Sequence, residues 1–362
     1  MSRPTVILGM SGGVDSSVAA ALLVEQGFDV RGVTLQVWEH EDETIVVSKR
    51  WQERGCCKVG LARHVAKLLG FSHELIDTRE TFRAAVVDDF ISGYLSGTTP
   101  NPCVRCNERV KLRLLYQLAQ ERGADYVATG HYVRIRRADN GQFRLARAAD
   151  LRKDQSYFLY RLQPRWLNQL MFPLGSLQKT EVWHRAEALG LPVDELKESQ
   201  EICFVTQGDY RTFLQTEVPQ ARHPGQFTDT AGNVLGAHEG IAFYTPGQRK
   251  GLGVSAGQRL YVQRVVPQTN TVVLATDEEL FSSSCLVSDL NVFDAEAIAD
   301  GGPALVKIRY ASAAVPARVT DEGDGGVRVH FLTPQRAVTP GQSAVFYRDE
   351  VVLGGGIIQR AH

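Results

Sequence analysis

The chain has 362 residues, 43% of them hydrophobic and 22% charged, with a formal net charge of −1. This length exceeds what one hydrophobic core supports and implies two or three domains, while the composition excludes disorder, collagen-like repeats and coiled coil. Its 40 basic and 41 acidic residues give no basic excess of the kind that marks a nucleic-acid binder, although a local basic groove fits within a balanced total.

Residues 5–10 form a short β-branched and apolar run, followed by a glycine turn and a helical stretch at 16–26 that Gly27 stops. A strand is expected at 29–38, a polar loop at 39–57 and an amphipathic helix at 59–69 ended by Gly70. The pattern continues with a strand at 73–77, helices at 81–95 and 110–121, and a strand at 125–131. Strands separated by helices of this length imply crossovers and a parallel sheet, hence a doubly wound α/β fold. Residues 133–147 then read as a hairpin with Asn140-Gly141 as its turn. A mostly helical stretch follows, and after Pro224 short strands and frequent glycines signal an antiparallel β-barrel. The expected domains are an α/β domain at 1–163, a mostly helical central domain at 164–222 and a β-barrel domain at 223–362. No apolar run approaches the ~18 residues of a membrane span, and the start does not read as a secretory signal. A cytoplasmic protein with no membrane partner is expected.

The string Ser11-Gly12-Gly13-Val14-Asp15-Ser16-Ser17 falls where the first strand turns into the first helix. Two glycines let the backbone approach an anion, and helix-start N–H groups favour negative charge there. It is neither the Walker nor the dinucleotide pattern, so γ-phosphate transfer and dinucleotide binding are not its direct reading. A plain tight turn with a capping Asp15 or Ser16 is the simpler alternative.

Six cysteines in a chain of this length do not make a disulfide scaffold. Cys103 and Cys106 form a C-x-x-C between two expected helices. Asn107 is expected to cap the second helix, placing Cys106 at the positive end of its dipole beside Arg105, which would lower the thiol pKa. A structural pair or half of a zinc site is the competing reading. Cys203 follows in Ser199-Gln200-Glu201-Ile202-Cys203-Phe204, and spacing alone does not show that it meets Cys106. Cys56, Cys57 and Cys285 are read as inert thiols.

The Ser11–Ser17 string resembles the PP-loop of the ATP pyrophosphatase superfamily, whose members cleave ATP between the α and β phosphates and adenylate a substrate oxygen. Several further segments, in order along the chain, extend the likeness. They are 101–107, Ala128-Thr129-Gly130-His131-Tyr132, 153–159, Ile202-Cys203-Phe204, 246–253, Arg309-Tyr310, 339–345 and 353–358. With them the chain resembles the bacterial tRNA-specific 2-thiouridylase family from about residue 5 to residue 359.

The resemblance implies a tRNA sulfurtransferase that makes 2-thiouridine at a wobble position, using ATP and Mg²⁺. Gly9, Met10, Ser11, Gly12, Gly13, Val14, Asp15, Ser16, Leu35 and Gly130 would hold ATP. Asn101, Pro102 and Cys103 would lie near the target base, and His131, Lys153, Asp154, Gln155, Arg309, Tyr310 and Gln342 would touch tRNA. Cys203 would carry sulfur as a persulfide, supplied by a cysteine desulfurase or a sulfur-relay protein. Cys106 would be the second thiol, which either liberates hydrosulfide or resolves the persulfide through a Cys106–Cys203 disulfide. Well-known members have Asp where this chain has Cys103. That replacement creates the C-x-x-C, and Cys103, Cys106 and Cys203 together raise the expectation of an iron–sulfur cluster with one open iron.

Overall fold

A computed structural model describes residues 3–38, 58–138, 140–191, 193, 202–205, 208–255, 257–299, 301–323 and 325–362. The polar loop at 39–57 lies outside these residues, and Cys56 and Cys57 with it. The chain divides into two compact units: Met1–Ala85 with Cys103–Phe204 and Glu350–Val352, and Val86–Pro102 with Val205–Asp349 and Leu353–His362.

The first unit opens with β1 (Thr5–Gly9), α1 (Val14–Glu25), β2 (Asp29–Gln36), α2 (Lys58–Leu69) and β3 (Ser72–Asp77). A continuous helical run then carries α3 (Pro102–Cys106), a π-helical turn at Asn107–Lys111 and α4 (Leu112–Glu121). It leads into β4 (Tyr126–Thr129), the hairpin β5 (Val133–Arg137) and β6 (Phe143–Arg147), the short β7 (Leu170–Met171) and α5 (Lys179–Ala188). The sheet is parallel, in the order β3-β2-β1-β4-β7.

Alternation along β1 sorts its side chains between two faces. Val6, Leu8 and Met10 join a core with Val18, Leu22 and Leu23 of α1, Leu61 and Val65 of α2, and Val182 and Ala186 of α5. Gly9 points the other way, where a Cβ would lie 2.7 Å from Leu115 of α4. Helices therefore cover both faces, as the doubly wound reading requires. The hairpin turns at Asn140-Gly141 as expected, with Gly141 at φ 80° and Asn140 Oδ1 accepting from the Gln142 N–H at 3.1 Å.

The second unit contains α6 (Tyr210–Glu217), whose Tyr210 stacks on Tyr94 at 4.6 Å and whose Phe213 meets Phe90 at 6.1 Å. Residues 164–222, expected as one helical domain, are thus divided: α5 lies in the core of the first unit and α6 belongs to the second.

The region after Pro224 holds two sheets. The smaller contains β8 (Gly225–Thr228), β9 (Val234–His238), β10 (Tyr261–Val266) and β11 (Thr271–Ala275), in the order β10-β11-β8-β9. The larger contains β12 (Phe281–Val292), β13 (Pro303–Lys307), β14 (Val315–Gly323), β15 (Gly326–Arg336), β16 (Ser343–Arg348) and β17 (Val351–Ala361). These six run β12-β15-β14-β13-β16-β17 and close through the β12–β17 pairing. Closure removes the exposed edges that an open sheet would leave. The interior is filled by Val287, Val306, Val319, Val329, Phe346, Leu353 and Ile358, with Cys285 among them. Among the described residues no helix is long and apolar enough to cross a membrane.

Candidate active site at the switch of the parallel sheet

The order β3-β2-β1-β4 reverses direction at β1. In open α/β sheets ligands settle at such a switch point, outside the carboxyl ends of the strands. The chain leaving β1 is the Ser11–Gly13 turn, and the chain leaving β4 is Gly130. Gly130 abuts the first turn of α1, which follows the Ser11–Gly13 turn directly: a Cβ on Gly130 would lie 2.8 Å from Asp15 C and Ser16 N. Gly12 has φ 70°, a left-handed conformation that glycine adopts without strain.

Gly13 is the residue before α1 and no side chain caps that helix, so its first N–H groups remain available to an anion. The serines brace the turn instead. The Ser16 and Ser17 hydroxyls each donate to Gly13 O at 3.0 Å, and the Ser11 N–H donates to Ser16 Oγ at 3.3 Å. Asp15 caps nothing in this arrangement. Its Oδ1 accepts from Tyr132 Oη and from Lys179 Nζ, both at 2.7 Å. Met10 is buried and donates its N–H to Val33 O at 2.8 Å, while Leu35 is half-buried near the end of β2. A backbone cradle that any Cβ at position 130 would fill, with helix-start N–H groups facing it, suits the phosphates of a nucleotide.

Lys179 was not singled out by its sequence context. It is buried, salt-bridged to Asp15 at 2.7 Å and set over the rings of Tyr132 and Trp183 at 5.5 and 4.9 Å. Lys179→Met leaves the Asp15 carboxylate without this cation. We expect it to lower stability by about 1–3 kcal/mol, read as a lower midpoint in thermal unfolding.

Cys103, Cys106 and Cys203 lie in the same unit, and Cys285 in the other. Cys103, Cys106, Cys203 and Cys285 are thiols, none of them in a disulfide. Cys103, Cys106 and Cys203 act on one another electrostatically, and Lys111 acts on each of them. Cys106 is buried, whereas Cys103 and Cys203 keep exposed surface. Phe204 anchors the residue next to Cys203 by packing against Trp38 and Phe82, each with ring centroids 5.8 Å away.

The expected depression of the Cys106 thiol is corrected. Asn107 caps no helix, because Pro102–Glu121 is helical throughout and Cys106 has φ −60° and ψ −46° within it. Asn107 is buried instead, its Nδ2 donating to Phe158 O at 3.4 Å. Burial pushes the Cys106 thiol up to about 12, with Lys111 opposing, and pushes Cys103 up as well. Cys285, in the barrel core, is also raised to about 12 by burial.

No group of three or more His, Cys, Asp or Glu side chains among the described residues is arranged to hold a metal ion. Cys103, Cys106 and Cys203 share a neighbourhood without forming such a donor set, so the iron–sulfur expectation has no support and is not carried further.

The residues expected to face RNA divide between the units. In the first, His131 Nδ1 bonds to Thr129 Oγ1 at 2.8 Å, and burial followed by the charge of Lys111 holds the ring neutral, its pKa lowered to about 3. Asp154 is buried, accepting from the N–H groups of Ala148 and Ser156 and from the Ser156 hydroxyl at 3.1, 3.2 and 2.8 Å. Gln155 Oε1 accepts from the Tyr132 N–H at 2.9 Å and so holds the turn after Gly130. Lys153 is half-buried beside them.

In the second unit Arg309 Nη2 donates to Ala337 O and, at 2.9 Å, to Thr339 Oγ1. Tyr310 is partly exposed, with Lys307 5.2 Å from its ring. Gln342 Nε2 donates to Thr99 O at 2.8 Å, which ties the barrel loop to the segment leading to Asn101 and Pro102.

Known families match nearly end to end. The description "tRNA methyl transferase HUP domain" matches residues 4–207, "tRNA methyl transferase PRC-barrel domain" residues 211–276 and "Aminomethyltransferase beta-barrel domain" residues 282–358. Three similar proteins are each named "tRNA-specific 2-thiouridylase MnmA". That of Pelotomaculum thermopropionicum is 43% identical over 363 residues, covering 99% of this chain and 98% of the relative. The Acetivibrio thermocellus protein is 44% identical, with 99% and 100% covered. The Clostridium perfringens protein is 42% identical, with 99% of each covered. The chain belongs to the tRNA-specific 2-thiouridylase family.

In this 2-thiouridylase family member the HUP match encloses both the switch-point loop and all three clustered thiols. Sequence patterning missed two contributors, Lys111 and Lys179, and gave no anchoring role to Phe204. The two lysines stand apart from the strings that carry the resemblance, and Phe204 reads as an ordinary core aromatic.

Proposed function

We propose that the chain is a tRNA-uridine 2-sulfurtransferase: it adenylates a wobble uridine at the expense of ATP and replaces the uracil oxygen at C2 with sulfur. The observation that carries this reading is the presence, in one folded unit, of a close-approach backbone cradle at a helix start and a cluster of thiols within electrostatic reach of a lysine.

A carbonyl oxygen is a poor leaving group until it is esterified, so the reaction runs in two halves. In the first, the uracil O2 attacks the α-phosphorus of ATP, the bond to the β-phosphate oxygen breaks, and pyrophosphate leaves. Ser11, Gly12, Gly13, Val14 and the N–H groups of Asp15 and Ser16 hold the phosphates. Gly9, Met10, Leu35 and Gly130 line the rest of the nucleotide site, and Mg²⁺ enters with the triphosphate. In the second half, sulfur carried on Cys203 reaches C2 and AMP departs with the former O2.

Cys106 is the second thiol. Asn101, Pro102, Cys103, His131, Lys153, Asp154, Gln155, Arg309, Tyr310 and Gln342 serve the RNA, some by contact and some by holding the loops that touch it. Cys103 stands where an acid–base carboxylate is usual in the family, and burial raises its pKa. The sulfur comes from a cysteine desulfurase or a relay protein, and substrates of this kind place the enzyme in the cytoplasm.

Protein, ATP-Mg²⁺, unmodified tRNA and a cysteine-desulfurase system are expected to yield 2-thiouridine, detected by mass after digestion to nucleosides. ATP-dependent change of the tRNA without added sulfur mass would contradict the reading.

A further inference from the structure

Cys106 is buried, and burial pushes its thiol up, so it is a weak nucleophile unless a nearby charge favours the thiolate. The group that opposes this is local. Lys111 closes the π-helical turn Asn107–Lys111 that follows Cys106 directly. In a regular α-helix a residue five positions on lies about 140° around the axis and faces away. The i→i+5 spacing of a π turn brings it back over the starting residue. The Lys111 ammonium acts on Cys103, Cys106 and Cys203 together.

We propose that Lys111 is the charge partner of the reacting sulfurs: its ammonium holds the negative charge that passes between Cys203 and Cys106 as sulfur is released. The inference rests on the sulfur-transfer reading above. The step balances as follows. Cys203 carries the persulfide anion, Sγ–S⁻, and Cys106 is a thiol. Cys106 Sγ attacks Cys203 Sγ, the persulfide S–S bond breaks, and the Cys106 proton passes to the departing sulfur. The products are a Cys106–Cys203 disulfide and HS⁻, which attacks C2 of the adenylated uracil. The sulfur set carries one negative charge from start to finish, and Lys111 supplies the one positive charge beside it. A dithiol reductant then returns both cysteines to thiols.

The test compares full-length wild-type protein with Lys111→Met and Lys111→Arg. Under single-turnover conditions, with Cys203 loaded by a cysteine desulfurase, K111M is expected to form 2-thiouridine about 100-fold more slowly. K111R, which keeps the charge, is expected to recover to within about tenfold. Without tRNA, alkylation of Cys106 by iodoacetamide, followed by peptide mass, is expected to slow about tenfold in K111M and little in K111R. Unchanged alkylation in K111M, or loss in K111R equal to that in K111M, would overturn the inference. Wild-type protein that alkylates normally yet makes no 2-thiouridine would overturn the parent reading instead.

Discussion

Cys106→Ala is expected to leave the Cys203 peptide one sulfur atom heavier after incubation with sulfur donor, ATP and tRNA, while the wild type discharges it. The reason lies in which bond must break. A persulfide on Cys203 holds its terminal sulfur until a second thiol attacks the inner sulfur, and Cys106 is the buried neighbour within its electrostatic reach. Cys203→Ala removes the carrier itself. Both substitutions are expected to reduce 2-thiouridine formation by at least about 10³-fold, the scale seen when one member of a unit acting together is removed. Cys285→Ala is the control: that thiol is buried in the barrel core, so its loss is expected to cost some stability and to leave the sulfur chemistry in place. Thiouridine formation by Cys106→Ala at the wild-type rate would sink the two-thiol account.

Gly130→Ala has the other large expected effect, and it strikes the first half of the reaction. The added Cβ would stand 2.8 Å from Asp15 C and Ser16 N, and 3.0 Å from Asp15 O. These are backbone atoms at the start of a helix packed into the core of its unit, so no side chain is free to swing aside. Either the Gly130 turn or the first turn of α1 must shift, and the N–H groups that face the phosphates shift with it. Misplacing preorganised donors of this kind costs about 10²–10³ in rate, and overpacking adds about 1–3 kcal/mol of destabilisation. The expected readout is loss of tRNA-dependent pyrophosphate release together with a lower thermal midpoint. Normal pyrophosphate release by the variant would show that the cradle is not where ATP is cleaved.

Much of this architecture was legible in residue patterns. The β1-turn-α1 unit, the glycine after β4 and the Asn140-Gly141 hairpin announce themselves because each depends on local chemistry: strand alternation, left-handed glycine, turn preference. The six-stranded closure was harder to read. Gly354-Gly355-Gly356 looks like a breaker, yet it lies within β17. A Cβ would come within 2.6 Å of Asn291 O at Gly354 and 2.5 Å of Ser288 O at Gly356. Those glycines are what lets β17 meet β12, a contact made by residues far apart in the chain.

The site was misread where tertiary burial outweighed local rules. A C-x-x-C before a presumed helix start suggested an acidified thiol, but the helix begins earlier, at Pro102, and desolvation governs Cys106. Lys111 shows the same limit. Its position over Cys106 depends on a π turn, and α-helical periodicity places it on the opposite side. Asp154 and Gln155, expected to face RNA, are engaged with backbone N–H groups of their own unit, an arrangement that no local pattern specifies.

The central claim is that ATP converts the uracil O2 into a leaving group which sulfur then displaces, and isotope labelling tests it most directly. A tRNA carrying ¹⁸O at C2 of the wobble uridine should be treated with the enzyme, ATP and a sulfur donor, and the released nucleotide analysed by mass. The account predicts one ¹⁸O in AMP for each 2-thiouridine formed. Label appearing in water or pyrophosphate, with unlabelled AMP, would contradict it.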